Sequence, residues 1–303
     1  MSALHLIWNP IAGSGAAKVV FDHLRNRLTE LGIDFSESMS AYPGHALILA
    51  KEAAAAGHKT VLALGGDGTV REVATGLYGS SVPLAVIPCG TGNDLARALH
   101  IPRDPDAALD IALNGIARPM DAAEANGELF FNIAGFGFDV DVVIATELYK
   151  KTTRSGSMAY VKGVLHALRE MSLRKTHLSW IDENDVRHEA DYNILLLAAA
   201  NGTHFGGGMN VTPLADPFDG LFDICVLHDF NKPAFLTRLL PFIKGKHLRF
   251  RRYVSCFRAK ELTASCDPLS RIQADGELLK ETPCTFRLLP GAIRVMTPRP
   301  SRK

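Results

Sequence analysis

Gly65-Gly66-Asp67-Gly68-Thr69 sets one carboxylate and one hydroxyl among three glycines, between the apolar run VLAL and the helical pattern TVREVATGLY. Bare glycine backbone lets N–H groups approach a polyanion, and the N-terminus of the following helix favours phosphate. One carboxylate in such a loop suits Mg2+ handling or proton abstraction. At ordinary residue frequencies this pentapeptide arises by chance about once per 10⁶ start positions, so coincidence explains it poorly. The competing reading is a glycine-rich turn in which Asp67 only caps a helix.

A second loop, Ile87-Pro88-Cys89-Gly90-Thr91-Gly92-Asn93-Asp94-Leu95-Ala96-Arg97, follows the next apolar run with the same ingredients. Asn93 or Asp94 alone would serve equally well as an N-cap. Beside GGDGT, the segment reads as the other wall of a nucleotide pocket. The first loop, Asn9-Pro10-Ile11-Ala12-Gly13-Ser14-Gly15, lacks the G-x-x-x-x-G-K-[ST] spacing, and Lys18 stands where G-x-G-x-x-G needs its third glycine.

Three later features are ambiguous by themselves. Pro213 to Asp223 carries Asp216, Asp219 and Asp223 in an enforced turn, an oxygen-rich set suited to a hard cation and equally to a solvated turn. Asp275-Gly276-Glu277, placed between SRIQA and CTFRLLP, reads as a hairpin turn. His204 in NGTHFGGGMN fits no interpretable motif, as ligand or as loop histidine.

The elements that must position these loops are legible in outline. Up to residue 115 or so, short aliphatic runs (LHLIW, TVLAL, PLAVI) alternate with helical patterns, the rhythm of β-α units around a mostly parallel sheet. Such a sheet binds ligands at the carboxyl ends of its strands, where the glycine loops fall. After Arg118 the pattern changes to paired strands joined by Asn126-Gly127, so a nucleotide-binding α/β domain is expected over 1–125 and a β-rich domain over 126–303, the last residues returning to the first domain. Within the second half, helical patterning spans 143–171 and a hairpin HLSWIDENDVRHEADYNILLLAAA. Short β pieces follow at 221–228, 253–265, 270–274 and 284–296, around one helix, KPAFLTRLLPFI.

Composition excludes several classes. The 303 residues are 47% hydrophobic and 21% charged, ordinary for a globular chain large enough for two cores. A net charge of +1 gives no global attraction for polyanions. The basic stretch Lys244, Lys246, His247, Arg249, Arg251 and Arg252, interleaved with Phe242, Leu248, Phe250 and Tyr253, suits an anionic lipid surface and equally a solvated face. No nucleic-acid module accompanies it, so nucleic acid is not an expected partner. No apolar run reaches the ~20 residues that span a bilayer, and MSALHLIWNP lacks a basic leader, so a cytosolic protein is expected. The five cysteines, widely spaced and without C-x-x-C, support neither a zinc site nor a disulfide framework.

The ordered set N-P-x-x-G-x-G at 9–15, GGDGT at 65–69, P-x-G-T-x-N-D-x-A-R at 88–97 and P-x-A-x-x-x-D-G-x-x-D at 213–223 strongly resembles the diacylglycerol kinase catalytic-domain family. That family includes bacterial soluble diacylglycerol kinases, phosphatidylglycerol kinase-like proteins and, more remotely, sphingosine and ceramide kinases. The resemblance implies an α/β N-terminal domain of the phosphofructokinase and NAD kinase kind plus a β-sandwich-like C-terminal domain. It implies an ATP site lined by Asn9, Gly13, Gly65, Gly66, Gly68, Thr69, Thr91 and Asn93. Asp67 then matches the loop carboxylate regarded as the base in sphingosine kinases, and Glu277 the carboxylate proposed as base in bacterial members. Asp216, Asp219 and the Leu221 carbonyl would hold a structural Mg2+, linked through solvent to Asp121 and Arg97, with Asp94 and Asp275 in the supporting network.

The activity so implied is ATP-dependent phosphorylation of a lipid hydroxyl, foremost diacylglycerol to phosphatidic acid. Another lipid, such as phosphatidylglycerol or a sphingoid base, a soluble acceptor, or a non-catalytic lipid- or nucleotide-binding role remain the alternatives. The expected setting is cytoplasmic, peripheral to the inner face of the membrane, with contact through 244–252. Exposed β edges in the second domain leave room for a homodimer.

Overall fold

The computed structural model describes residues 3–153 and 156–300. Its first domain holds β1 (Leu4–Trp8), α1 (Ala16–Glu30), β2 (Phe35–Met39), α2 (His45–Ala55), β3 (Thr60–Gly65), α3 (Asp67–Leu77), β4 (Leu84–Pro88), α4 (Asp94–Ala98) and α5 (Pro105–Asn114). The strands run parallel in the order β2-β1-β3-β4, with Leu6 opposite Leu62 and Leu62 opposite Ala85. Val61 to Leu64 and Leu84 to Ile87 are all buried, as strands covered on both faces must be. α1 buries Ala17, Phe21, Leu24 and Leu28, one stripe at helical spacing. Asp104 caps α5 through the Ala107 N–H, with Pro105 in the first turn, where its missing N–H costs nothing.

The second half contains β5 (Ile116–Ala125), β6 (Glu128–Phe130), β7 (Ile133–Gly137), α6 (Phe138–Lys150), α7 (Gly156–Arg169), β8 (Arg174–Ile181), β9 (Arg187–Ala200), β10 (His204–Phe205) and β11 (Met209–Asn210). Then come β12 (Phe222–His228), α8 (Lys232–Ile243), β13 (Val254–Ala259), β14 (Glu261–Asp267), β15 (Arg271–Ala274), β16 (Glu277–Glu281) and β17 (Cys284–Thr297). The path β16-β15-β7-β9-β8-β14-β17 is antiparallel, and β12 adds to β9 with β13 at its outer edge. Phe130, Phe136, Phe222 and Phe286 fill the space enclosed by these strands. A separate apolar layer, with Leu195, Leu196, Phe235 and Phe242, seats helices on the opposite face of β9 and β12.

β5 and β17 form a long antiparallel ribbon belonging to both halves. Phe286 pairs with Ala125 inside the sandwich, while Val295 pairs with Arg118 and, in parallel, with Leu84 of β4. The helical patterning at 143–171 resolves into α6 and α7, packed so closely that a Cβ on Gly163 would meet Thr146 Oγ1 at 2.3 Å. One local reading needs correction. Asp275-Gly276 does not lead into CTFRLLP but turns β15 into β16, a short edge strand ELLKE too polar to show alternation in the sequence.

Candidate active site

The loops after β1, β3 and β4 meet at the carboxyl edge of the parallel sheet. Asn9 Nδ2 donates to Thr69 Oγ1 at 3.2 Å, and Asn9 Oδ1 accepts the Ile11 N–H, fixing the first loop against GGDGT. Gly13 has φ +60, and a Cβ there would lie 2.2 Å from the Cys89 carbonyl oxygen, so only glycine lets the first and third loops touch. Gly66 and Gly90 face each other in the same way, a Cβ on Gly90 meeting Gly66 Cα at 2.6 Å.

Asp67 ties the second loop to the third. Its Oδ2 accepts the Asn93 N–H at 2.8 Å and its Oδ1 the Asp94 N–H at 2.7 Å, so the carboxylate sits on the first turn of α4. The sequence alternatives, cap or chemical group, are thus not exclusive: Asp67 caps, but it caps the helix of the neighbouring loop. Asn93, at φ +55, closes its own loop by exchanging hydrogen bonds with the Gly90 N–H and C=O. Thr69 and Asn93 are buried in these networks, whereas Thr91 stands exposed at the loop tip. A Cβ on Gly68 would meet nothing within 4 Å, which leaves open space directly above the loop backbone.

The second domain closes on this edge at two places. The β10–β11 hairpin brings the Gly207 N–H to Asp94 Oδ2 at 2.9 Å, and Arg97 lies 3.9 Å from Asp94 Oδ1 while its Nε donates to the Gly92 carbonyl. Burial, with Asp67 adding repulsion, pushes the Asp94 carboxyl above its ordinary range against the opposing pull of Gly207 and Arg97. His204 belongs to this hairpin: burial and the Arg97 charge lower its pKa, and its carbonyl accepts from Asn132. From the other side, Asp275 accepts the N–H groups of Phe131, Asn132 and Ile133, and burial still raises it to about 6. That anchor aims the next turn so that Glu277, itself exposed, stands 4.0 Å from Arg71 Nη1 of α3.

Arg71, Gly207 and Tyr160 escape sequence reasoning. Tyr160 of α7 lies near enough for the Asp94 charge, after burial, to raise its hydroxyl pKa. The only local signal is the glycine run at 206–208; nothing in the sequence marks Arg71 or Tyr160.

The turn at 213–223 is arranged differently from the implied Mg2+ set. Asp216 Oδ1 and Asp219 Oδ1 accept N–H groups of Phe218 and Leu221 within the turn, and Asp219 Oδ2 is held by Arg258. Asp121 joins directly, not through solvent, accepting the Gly220 and Gly291 N–H groups, while Arg97 turns away to Asp94. Asp223 keeps one buried, unpartnered oxygen, and burial raises it to about 6. Hard oxygens are present, but the Arg258 cation already occupies Asp219, and no three His, Cys, Asp or Glu side chains form a metal-binding group among the described residues. A cation held by Asp216, Asp219 and the Leu221 carbonyl would have to displace Arg258 from Asp219.

In the basic stretch, Phe242 and His247 are buried and Arg249 and Arg252 stack on Phe250 and Tyr253. Leu248, Phe250 and Tyr253 are half-buried, so the stretch presents charge together with partly covered apolar rings. Among the described residues no helix is long and apolar enough to cross a membrane.

Glycine loops converging at the carboxyl edge of a parallel sheet, with carboxylates delivered from a β-sandwich, define a two-domain phosphotransferase. The chain belongs to the diacylglycerol kinase catalytic-domain family and is a kinase. Residues 3–125 match the diacylglycerol kinase catalytic domain, and residues 133–297 match the YegS C-terminal NAD kinase beta sandwich-like domain. It is 31% identical to a diacylglycerol kinase of Bacillus subtilis, over 99% of this chain and 97% of that one. It is 35% identical to a probable YegS-like lipid kinase of Pseudomonas aeruginosa, over 89% of this chain and 86% of the relative. A crystal structure of a putative diacylglycerol kinase from Bacillus anthracis superposes with a TM-score of 0.77 at 25% identity, covering 98% of this chain and 95% of that chain.

Proposed function

We propose that this kinase transfers the γ-phosphoryl group of ATP, supplied with Mg2+, to the primary hydroxyl of diacylglycerol, giving phosphatidic acid and ADP. The observation that carries this reading is the Asp67 link, which holds two glycine loops together with their backbone bare while Glu277 enters from the second domain. In-line transfer needs phosphate neutralisation, a placed hydroxyl and a proton acceptor. Backbone N–H groups around Gly66, Gly68, Gly90 and Gly92 would meet the phosphates. Both Asp67 oxygens already accept N–H bonds that hold the two loops together. Glu277, with a free carboxylate at the surface beside Arg71, is the group we assign to take the hydroxyl proton as the new O–P bond forms and the β–γ bridging P–O bond breaks.

A lipid acceptor is supported by the relatives' names and by the surface of α6 and α7. Leu148, Met158 and Leu165 are 55%, 51% and 61% exposed, with Val161 between them and Lys151 and Lys162 alongside, while Tyr160 of α7 reaches toward Asp94. This apolar face next to the site, rather than 244–252, is where a lipid surface would meet the protein, at the cytoplasmic side of a membrane.

The test is incorporation of label from γ-labelled ATP with Mg2+ into micelles carrying diacylglycerol, phosphatidylglycerol or sphingosine separately, with Glu277→Gln and Asp67→Asn controls. Label in diacylglycerol alone, lost in both variants, is the expected result. Label only in another lipid would replace the acceptor, and no label in any lipid would overturn the lipid kinase reading.

A further inference from the structure

The chain has five cysteines, and strand register brings two of them face to face. Cys225 of β12 stands directly opposite Cys256 of β13, although 31 positions separate them in sequence. The His228 N–H donates to the Tyr253 carbonyl at 2.9 Å, so 228/253, 226/255 and 224/257 are the hydrogen-bonded pairs of this ladder. Cys225/Cys256 is therefore a non-hydrogen-bonded pair, the type in which opposite Cα atoms approach to about 4.5 Å and side chains lie closest. That separation falls within the ~4.4–6.8 Å that a disulfide spans.

The two thiols are not equivalent. Cys225 is fully buried under α8, with the His247 Nε2 3.7 Å from its sulfur; that Nε2–H donates to the Val211 carbonyl at 2.9 Å. Cys256 lies on the outer strand and is exposed. The neighbouring Cys225 thiol lowers the pKa of the outer thiol, and Cys256 together with burial raises that of the inner one. Reagents in water thus meet the Cys256 sulfur first, and the buried Cys225 stands opposite it in the ladder.

We propose that Cys225 and Cys256 form a reversible disulfide-forming modification site, with Cys256 as the attacked residue and Cys225 as the resolving thiol. With hydrogen peroxide as oxidant, the Cys256 thiolate attacks one peroxide oxygen, the O–O bond breaks, and the departing hydroxide takes a proton to leave as water. The resulting sulfenic acid is attacked by the Cys225 sulfur, which loses its proton as the S–S bond forms and the second water leaves. Two electrons pass from the sulfurs to the peroxide, and a dithiol reductant restores both thiols. The bond would tie the outer strand to β12 two residues from Asp223 and Arg258, which stand opposite each other in the same ladder.

The experiment treats the purified full chain with stoichiometric hydrogen peroxide and follows intact mass, free thiols and a non-reducing peptide map. The expected result is a 2 Da mass loss, five thiols falling to three, one peptide pair joined through Cys225 and Cys256, and full reversal by dithiothreitol. Cys256→Ser, at an exposed position, should melt like the parent and show neither the mass loss nor the joined peptides. Oxygen addition at Cys256 with Cys225 still free, a bridge between other cysteines, or no loss of thiols would overturn the proposal. None of these readouts depends on kinase activity.

Discussion

Asp67 Oδ1 accepts the backbone N–H of Asp94 at 2.7 Å, so a carboxylate opening α3 holds the first residue of α4. Its other oxygen takes the Asn93 N–H, and charge-assisted bonds of this kind contribute about 1.5–3 kcal/mol each when broken singly. Asp67→Asn leaves one acceptor where two donors point. The variant should therefore lose stability as well as turnover, with kcat down by about 10²–10⁴ and the melting temperature clearly lower. The pair of hydrogen bonds, one from each of two adjacent N–H groups, is what adds a loss of stability to the loss of turnover. Calorimetry beside the label assay decides it, and an Asn variant that melts like the parent would disprove the coupling of the loops through Asp67.

Gly68 and Gly90 should respond oppositely to alanine. A Cβ on Gly90 meets Gly66 Cα at 2.6 Å and Asn93 Oδ1 at 2.9 Å, so Gly90→Ala must force the loops apart and lower stability. A Cβ on Gly68 meets nothing, so Gly68→Ala should melt like the parent. If the empty space is where phosphates sit, that silent methyl weakens ATP binding at least about tenfold, a loss of ~1.4 kcal/mol. Titration of both variants with nucleotide, read by fluorescence or calorimetry, separates the two effects.

Arg71 links the first domain to the DGE turn. It lies 4.0 Å from Glu277 and its charge pulls down the otherwise raised Asp275. Arg71→Gln should release Glu277, lowering kcat about tenfold with KM for ATP little changed. Arg71→Lys keeps the charge without the planar guanidinium and should recover part of the rate. Equal loss in both variants, or a KM for ATP that rises with the loss of kcat, would make Arg71 merely structural.

What the sequence shows and what it hides divide along contact range. GGDGT and the 87–97 loop are readable because strand, glycines and carboxylate are contiguous, and a parallel sheet delivers such loops to one edge without help. The Asp94 to Gly207 hydrogen bond joins residues 113 apart, and no local pattern announces it. Arg71 looks like any helical arginine until β16 arrives beside it. In the basic stretch the aromatic spacing is visible, but only packing decides that Phe242 is buried in the core layer and Tyr253 half-buried against it.

Asp139 offers a pH test of the second domain. It is buried at the start of α6 with Oδ1 unpartnered, and burial raises its pKa to about 7. Because the folded carboxyl holds its proton above the unfolded value of 3.8, the folded state binds more protons between those values, so this group's contribution to stability falls as pH rises from about 4 to about 7. Asp139→Asn mimics the protonated form. Its stability relative to the parent should increase across that interval and level off above it, as read from urea unfolding at pH 5, 6, 7 and 8. A parent and variant with parallel pH profiles would show that Asp139 does not titrate there.

The α7 face predicts how the lipid is reached. Met158 and Leu165 are more than half exposed and two helical turns apart, so replacing both by Ser removes apolar area without opening a core cavity. If this face enters the lipid surface, each side chain contributes roughly 1.5–3 kcal/mol of transfer from water. The double variant should then bind phosphatidylglycerol-containing vesicles at least about 10²-fold more weakly and phosphorylate diacylglycerol in them slowly. Its rate on a short-chain diacylglycerol dissolved below its micellar concentration should match the parent, since Asp67, Glu277 and the glycine loops are untouched. Removing the charges of Lys244, Lys246, Arg249, Arg251 and Arg252 should instead reduce binding only at low salt, where exposed charges act over longer distances. A double Ser variant that sediments with vesicles as well as the parent would show that α7 does not meet the membrane.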